Sequence, residues 1–172
     1  MIKLYKLYAL LPLLFISGCT TYKPMKVAKN INTTKYMGKW YEIARLPNNF
    51  QQGCSCSMAN YTLLNDSYIS LVNQCCKNSE IKTAQGKAWT VDHKENSKLK
   101  VSFLWPFAFN YWILYVSENY EYVVVGEPLR KYLWFLSRSK NICTTKLDFM
   151  KKIAVSNGYD LSRLIIADNT KC

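Results

Sequence analysis

The feature that most constrains this chain is a series of short runs, rich in aromatic and β-branched residues, that begins near residue 38 and recurs at nearly regular spacing. Short segments that contain Pro, Asn, Asp or Gly separate the runs and are typical of turns. Strands joined by short turns favour an antiparallel meander that closes into a barrel. The sequence therefore predicts a mainly β protein with an eight-stranded up-and-down barrel. The predicted strands are Lys39–Arg45, Ser57–Leu64, Tyr68–Cys75, Thr83–Val91, Leu99–Trp105, Tyr111–Ser117, Tyr122–Gly126 and Tyr132–Arg138.

One helix is predicted after the last of these strands, over Thr144–Asn157. Its apolar residues recur every three or four positions, which is the period of an amphipathic helix. Thr144 or Thr145 can cap its start and Gly158 can end it. We expect the apolar stripe to pack on the outside of the barrel, and a short strand, Arg163–Ala167, to follow. The stripe consists of Leu147, Met150, Ile153 and Ala154.

The N-terminus predicts export and lipid attachment. A basic head precedes an apolar run, Leu7–Ile16, that is too short to span a bilayer as a mature helix and is typical of a signal peptide. The residues around Cys19 (LFISGCT) resemble the bacterial lipobox, which implies cleavage after residue 18, a diacylglyceryl group on the Cys19 thiol and an acylated amine, with palmitate as the expected acyl group. The alternative is an ordinary signal peptide with an incidental cysteine.

The charge of the exported chain narrows the class of partner. The formal net charge is +12, and removing residues 1–18 takes away Lys3 and Lys6, which leaves 12 − 2 = +10. No nucleic acid is expected as partner outside the cell, so anionic lipid headgroups, or simply a solvated basic surface, explain the charge. Thr20 after the cysteine resembles lipoproteins sorted to the outer membrane of Gram-negative bacteria. We expect residues 19–32 to be a tether, 33–168 the domain and 169–172 a tail.

Six cysteines remain once Cys19 is assigned to lipid. If the second hairpin turns at Asp66, paired residues have numbers that sum to 132, which places Cys56 opposite Cys76; a register change of one residue would pair it with Cys75. We therefore expect a bridge from Cys54 or Cys56 to Cys75 or Cys76. The alternative is a metal site formed by the four thiolates of these two cysteine pairs. The spacing within neither pair fits a structural zinc site, so no metal is predicted. The partner of Cys143 stays open.

The ordered motifs resemble those of lipocalins, and most closely the bacterial and apolipoprotein D-like subfamily of outer-membrane lipoproteins. They are GKWYEIAR at Gly38–Arg45, ENY at Glu118–Tyr120, KVSF at Lys100–Phe103, Pro106-Phe107 and YLWFLSR at Tyr132–Arg138. Asn119 departs from the acidic residue usual in that turn. The resemblance implies that Trp40 plugs the barrel floor with Arg138 over it, as a structural pair. It also implies that Cys172 ties the C-terminus to a cysteine at the mouth.

With Trp40 at the floor, the meander assigns every connection to one end. The mouth then holds residues 46–56, 77–81, 105–110 and 127–131, and the floor holds 65–67, 92–98 and 118–121. Trp105–Phe109 is strongly apolar for a loop, which is typical of a ligand, membrane or protein contact, unless its rings are buried in the barrel wall. Basic residues near the mouth either meet a phosphate or carboxylate or are solvated; they are Lys77, Lys82, Lys87, Arg130 and Lys131.

Candidate ligand-binding residues follow from period-2 alternation. If Trp40 faces inward, Glu42 and Ala44 do too, while Tyr41, Ile43 and Arg45 face outward. An inward Glu42 needs a partner or a raised pKa, whether it meets a ligand headgroup or a tyrosine and buried water. The candidates for the cavity or mouth are Glu42, Tyr61, Trp89, Phe103, Phe107, Trp112, Tyr132 and Trp134. Ring-lined walls with few polar groups suit a long apolar ligand with a polar end.

Catalysis is not expected. The sole histidine, His93, lies in a polar turn, and no phosphate loop, metal-ligand spacing or activated nucleophile is present in the sequence. We expect no cofactor. The resemblance implies an outer-membrane-anchored lipocalin that binds a fatty acid or lysophospholipid for storage, scavenging or transport; a homodimer is compatible with the sequence. The alternatives are a structural or adhesive surface lipoprotein with a filled barrel and, less favoured, a barrel enzyme acting on a lipid or isoprenoid.

Overall fold

The computed structural model describes residues 24–65 and 67–169. Cys19 and Cys172, on which two of the expectations depend, lie outside these ranges. The helical elements are α1 (Thr33–Tyr36), a short 3-10 helix (Asn49–Gln51) and α2 (Thr144–Ser156). The strands are β1 (Gly38–Arg45), β2 (Ser55–Leu63), β3 (Ile69–Lys77), β4 (Glu80–Thr90), β5 (Lys98–Leu104), β6 (Phe107–Val116), β7 (Tyr122–Gly126), β8 (Leu133–Ser137) and β9 (Ile165–Ile166).

The first eight strands form a closed antiparallel barrel, as predicted. Each strand pairs with the next in sequence from β2 to β8, and β1 closes the sheet by pairing with both β8 and β2. Closure leaves no unpaired edge to invite association with another sheet. The short β9 pairs with β1 at Ala44 and Arg45, so it takes the place beside the mouth end of β1 where the pairing with β2 has ended.

The register of β2 and β3 matches the predicted hairpin along most of its length. Partner numbers sum to 132 from Met58↔Gln74 to Leu63↔Ile69. A bulge between Ser55 and Met58 then shifts the register, and Ser55 rather than Cys56 lies opposite Cys76. Cys56 itself has a φ of 52°, in the left-handed region, because it lies in this bulge. The expectation that Cys56 faces Cys76 is therefore wrong.

A second bulge, in β1 between Glu42 and Ala44, reverses the predicted faces of the end of that strand. Ala44 packs in the outer cluster with Phe135 and α2, whereas Arg45 pairs with the inward Trp134 and binds Glu42. Strict alternation had placed Ala44 inside and Arg45 outside. That expectation is wrong because one extra residue on a strand moves everything after it to the opposite face.

Two apolar clusters share the sheet. The inner cluster fills the lower barrel around Trp40, and the outer one lies between α2 and strands β1, β6, β7 and β8. Helix α2 contributes Met150 and Ala154, both fully buried, and burying a methionine side chain contributes about 1.5–3 kcal/mol. The helix starts at Thr144 as predicted, but its N-cap is Cys143, without a side-chain capping bond, so neither threonine caps it.

Close packing of the C-terminal segment explains one glycine. A Cβ atom at Gly126 would overlap the hydroxyl of Tyr159, which accepts a hydrogen bond from the Glu127 N–H (2.8 Å). The same hydroxyl donates toward the carbonyl oxygens of Glu127 and Tyr132. The chain after α2 is thereby fixed to the turn between β7 and β8. Burial raises the pKa of Tyr159 above its usual range, so the hydroxyl stays protonated as a donor.

The segment before the barrel is docked rather than free over its described residues. Met25 and Val27 pack against the outer cluster, Ile31 is buried, and the Ala28 N–H donates to the Ile113 carbonyl oxygen (2.9 Å). The expectation of a tether through residue 32 is therefore wrong from residue 24 onward, because apolar side chains in this segment have the barrel wall to pack on. Within the described ranges, no helix is both long and apolar enough to cross a bilayer.

Candidate ligand-binding site

The floor of the barrel is closed by Trp40 and Arg138. Trp40 is fully buried, and the Arg138 guanidinium carbon lies 3.7 Å from the centroid of its ring. The indole N–H donates to the Tyr36 carbonyl oxygen (2.9 Å) in α1, which lies beneath the barrel. Arg138 also donates to five backbone carbonyl groups, those of Lys35, Tyr36, Met37, Lys39 and Tyr120. This end offers no passage for a ligand, and both residues lie where a structural pair is expected.

Three tyrosines meet directly above the floor. The hydroxyl oxygens of Tyr36 and Tyr111 are 2.7 Å apart, and the Tyr61 hydroxyl donates to that of Tyr111 (3.0 Å). Burial raises the pKa of all three, that of Tyr61 to about 12, so each carries its proton at neutral pH. Three O–H groups therefore share two hydrogen bonds, which leaves one proton that this triad does not satisfy internally.

A charged cluster lies on the inner wall nearer the mouth. Arg45 Nη1 donates to Glu42 Oε1 (2.7 Å), and Gln51 Nε2 donates to Glu42 Oε2 (2.7 Å). Gln51 also accepts from the Trp134 indole N–H (2.8 Å), which ties the loop between β1 and β2 to the barrel interior. Desolvation raises the pKa of Glu42, and the Arg45 charge and the Gln51 and Arg45 hydrogen bonds only partly oppose it.

Buried polar atoms without partners mark the same region. They are Arg45 Nε, Ser57 Oγ and Asn73 Oδ1. Asn73 pairs with Ala59, a member of the inner cluster, so both lie on the inner face, and Ser57 is two residues before Ala59 on the same strand. Unpaired buried polar groups cost about 1–3 kcal/mol each, so they favour water or the polar part of a ligand inside the barrel.

The wall formed by β4 is built from small residues. Ala84, Gly86 and Ala88 face inward, because Ala88 belongs to the inner cluster and side chains alternate along the strand. A Cβ atom at Gly86 would lie 2.6 Å from the Ser102 carbonyl oxygen and 2.9 Å from Phe103 Cδ1, so glycine is needed there. The Phe103 ring therefore fills the space over Gly86, whereas Ala84, nearer the mouth, is exposed.

Aromatic side chains on the inner face of β5 and β6 are accessible to solvent through the mouth. Phe103 lies opposite Gly86 and is 40% exposed, and Phe109, which pairs with the inward Val101, is 58% exposed. An inward-facing ring is exposed only where the barrel is open above it. On the other side of the mouth, Phe50, Tyr132 and Trp134 form an aromatic cluster, with the last two stacked at 6.0 Å between centroids.

Two cavities lie at the floor end rather than the mouth. One, of about 40 Å³, is lined by residues that include Ile31, Tyr36 and Leu99, and it has room for water only. The other, of about 410 Å³, is an external cleft beside Arg138 and Lys146 at the start of α2. Neither cavity lies where a ligand inside the barrel would bind.

The structure separates the eight candidate residues into two groups. Glu42, Tyr61, Phe103, Tyr132 and Trp134 lie on the inner face or at the mouth, and Phe107 is exposed on the rim. Trp89 pairs with Lys100 on the outer face, since its neighbour Ala88 is inward, and Trp112 packs with the outer cluster under Lys98. The expectation that these two tryptophans line the cavity is therefore wrong.

Sequence reasoning missed several residues of the site. Arg45 was placed outside because the β1 bulge has no local signal, and Tyr36 lies in α1, a helix too short for periodicity to reveal. Gln51 reaches the interior from a loop, which alternation does not describe. Tyr111 and Asn73 were within reach of the argument, because the strand pairing places both beside residues that face inward.

A disulfide joins Cys54 and Cys75, whose Cα atoms are 5.5 Å apart. It ties the loop after β1 to β3 at the mouth, which is one of the predicted combinations. Cys56 is also disulfide-bonded. Cys76 and Cys143 are free thiols, so the inclusion of Cys76 among the bridged cysteines is wrong. Within the described ranges, no group of His, Cys, Asp and Glu side chains is arranged to hold a metal ion, and His93 is exposed in its turn.

Comparison with known proteins agrees with this geometry. The model of the lipocalin-like domain family matches residues 31–169. The chain is 37% identical over 155 residues to temperature-induced lipocalin-1 of Arabidopsis thaliana, covering 84% of this chain and 83% of the relative. It is 35% identical over 163 residues to the outer membrane lipoprotein Blc of Vibrio cholerae, covering 92% and 95%.

Solved structures show the same fold at lower identity. Insecticyanin from the tobacco hornworm Manduca sexta superposes with a TM-score of 0.71 at 20% identity, covering 86% of each chain. Since the family model spans most of the sequence and the barrel, floor pair and outer helix are all present, this chain belongs to the lipocalin family.

Proposed function

We propose that this protein is a lipid-binding lipocalin, anchored to the outer membrane through acyl groups on Cys19, that holds a fatty acid or lysophospholipid in its barrel. The observation that carries the proposal is the pair of inward-facing, solvent-accessible rings, Phe103 and Phe109, above a closed floor. Similarity to outer membrane lipoproteins supports the location, and the lipobox-like residues supply the attachment point. The function is binding, and no chemical step is proposed.

Binding would depend on burial of the acyl chain. Each CH₂ group buried contributes about 0.8 kcal/mol, or about fourfold in affinity. The small side chain of Ala84 would leave room for the chain at the mouth end of β4, opposite the cluster of Glu42 and Arg45. The polar end would remain at the mouth beside Lys82 and Lys131, or be met by the unpaired atoms of Ser57 and Asn73.

The dependence of affinity on chain length tests this proposal. Titration calorimetry with a series of saturated fatty acids is expected to show tighter binding with each added CH₂ until the chain fills the barrel. Ala84→Trp, which places an indole on the inner face, is expected to weaken binding of the long acids by at least tenfold. The matched control is Thr83→Trp on the outer face of the same strand, which leaves affinity unchanged. Equal affinity for all lengths contradicts the proposal.

The anchor is tested separately. Mass spectrometry of the protein from its native membrane is expected to show a chain that begins at Cys19 and carries acyl groups. Cys19→Ser removes the thiol that bears the diacylglyceryl group, so the variant is expected to leave the membrane fraction. Cys143→Ser, which removes an exposed thiol from the described part of the chain, is the control and stays in the membrane. An unmodified Cys19 disproves the anchor.

A second candidate is a structural or adhesive lipoprotein whose barrel is filled by its own side chains. The tyrosine triad and the Glu42–Arg45–Gln51 cluster favour it, because both occupy the barrel interior. Lipid extraction followed by mass spectrometry separates the two functions. Recovery of a stoichiometric lipid supports the first, and a lipid-free protein that binds no acid of any length supports the second.

A further inference from the structure

Every turn at the mouth of the barrel exposes a large apolar side chain. Phe50 lies in the loop after β1, Ile81 beside the turn between β3 and β4, and Leu129 in the turn between β7 and β8. The turn between β5 and β6 contributes Trp105, 79% exposed, and the adjoining strand ends contribute Leu104, 70% exposed, and Phe107. Apolar side chains exposed together at one end are typical of a contact surface. We call this set the rim.

The turns at the mouth carry more basic than acidic residues. At the mouth, Glu80 binds Lys82, and the carboxylate of Glu127 accepts hydrogen bonds from the backbone N–H groups of Leu129, Lys131 and Tyr132. These are the two acidic residues of the mouth turns, and the same turns carry Lys77, Arg130 and Lys131. The floor turns carry Asp92, Glu95, Glu118 and Glu121, and the cations at that end include Lys94, Arg138 and Lys146, which binds Glu121. The rim is therefore apolar and cationic, which is complementary to an anionic bilayer surface.

The described chain also begins at the mouth. The Lys26 N–H donates to Asn157 Oδ1 (2.8 Å) at the end of α2, and the Asn157 carbonyl oxygen accepts from Arg130 Nε (2.7 Å) in a mouth turn. From there the segment runs toward the floor, where the Ile31 N–H donates to the Glu95 carbonyl oxygen (2.9 Å). The N-terminal segment therefore approaches the barrel from its open end.

We propose that the open end of the barrel faces the membrane, with the rim in contact with the anionic bilayer that holds the acyl anchor. This inference rests on the acylation of Cys19 in the proposed function. Lys26 is seven residues after Cys19, and a chain of seven residue steps reaches about 25 Å at most. A barrel with its floor toward the bilayer would use most of that reach to span the length of α2, about 20 Å. With the mouth toward the bilayer, a lipid enters the barrel without crossing water.

Fluorescence quenching by brominated lipids tests the orientation. The acylated full chain is reconstituted into phosphatidylethanolamine–phosphatidylglycerol vesicles whose acyl chains carry bromine. We expect strong tryptophan quenching, at least half of which is lost in Trp105→Phe. Leu104→Glu, an exposed rim substitution, is expected to reduce quenching about twofold or more. Leu64→Glu is the matched control, because Leu64 is 54% exposed at the floor, and it leaves quenching unchanged.

The outcomes separate this inference from the proposed function. Acylation is checked first by mass, and an unmodified Cys19 overturns both the anchor and the orientation. Equal quenching in the acylated native chain and Trp105→Phe overturns the orientation alone, and so does a greater loss with Leu64→Glu than with Leu104→Glu. A rim covered by a second copy of the chain gives a dimer in detergent and no Trp105 quenching, which also overturns it. Fatty-acid titration remains the independent measure of binding.

Discussion

Trp40→Ala is expected to lower the free energy of unfolding by about 3–5 kcal/mol, the range typical of removing a large ring from a core. The indole is fully buried, and its loss leaves a cavity at the floor, a Tyr36 carbonyl group with Arg138 as its remaining side-chain donor, and an Arg138 guanidinium without its ring. Urea denaturation of the native chain and the variant measures the change. Because the floor is far from the mouth, any loss of ligand affinity is expected to follow the loss of stability.

Two comparison variants make this result specific. Trp40→Phe keeps a ring under Arg138 and is expected to retain part of the lost stability. Trp89→Ala removes an indole of the same size from the outer face of β4, where it is only partly buried, and is expected to cost less than Trp40→Ala. Similar losses for the two alanine variants would contradict the placement of Trp40 as the plug of the barrel. If Trp40→Ala does not fold, the free energies of unfolding of Trp40→Phe and Trp89→Ala are compared instead, and they test the placement of Trp40.

Arg45→Met is expected to destabilise the protein by about 3–5 kcal/mol at neutral pH, because it leaves the Glu42 carboxylate buried without its ion-pair partner. Glu42→Gln with Arg45→Met removes both charges and is expected to restore much of that loss, since an uncharged pair has no desolvation penalty. A double-mutant cycle from urea denaturation at neutral pH measures the coupling between the two side chains. Additive effects of the two substitutions would contradict a direct interaction.

The pH dependence has a defined sign. Burial raises the pKa of Glu42 above its value in the unfolded chain, so the folded state binds this proton more tightly. The contribution of Glu42 is most favourable below the unfolded pKa and is lost as pH rises through the folded pKa. Arg45→Met removes a charge that lowers the pKa of Glu42, so its cost is expected to shrink at about pH 4, where the carboxyl is protonated. A cost independent of pH would contradict this account.

The sequence predicted the barrel because its signals are local. Alternating apolar runs bounded by turn residues define strands without reference to the rest of the chain, and all eight predicted runs became strands of the closed sheet. The largest difference in bounds is in β6, which begins at Phe107 rather than Tyr111. Pairing with Leu104 extends the strand to the turn, and hydrogen bonds to a neighbouring strand are not visible in hydrophobic pattern alone.

The inner face of the barrel was less predictable. Alternation gives two faces for each strand but does not say which one is inside, and only β1 had a fixed point, Trp40. The sequence therefore makes Trp89 and Trp112 cavity candidates only as ring-bearing strand residues whose face is open, and the structure places both outside. Residues that pair across neighbouring strands face the same side of the sheet. The inner face of each strand is therefore known only once its register with the neighbouring strand is known.

By itself, the sequence determined the order of strands and most of the register of the hairpin formed by β2 and β3, because each depends on spacing along a short stretch of chain. The floor pair of Trp40 and Arg138 was predicted from the resemblance of whole motifs to a known family. Only the tertiary structure decided that Arg45 lies inside with Glu42, that Gln51 joins them from a loop, and that residues 24–32 run along the wall from mouth to floor. Bulges and docked segments are stabilised by contacts between residues that are distant in sequence, so no local sequence pattern predicts them.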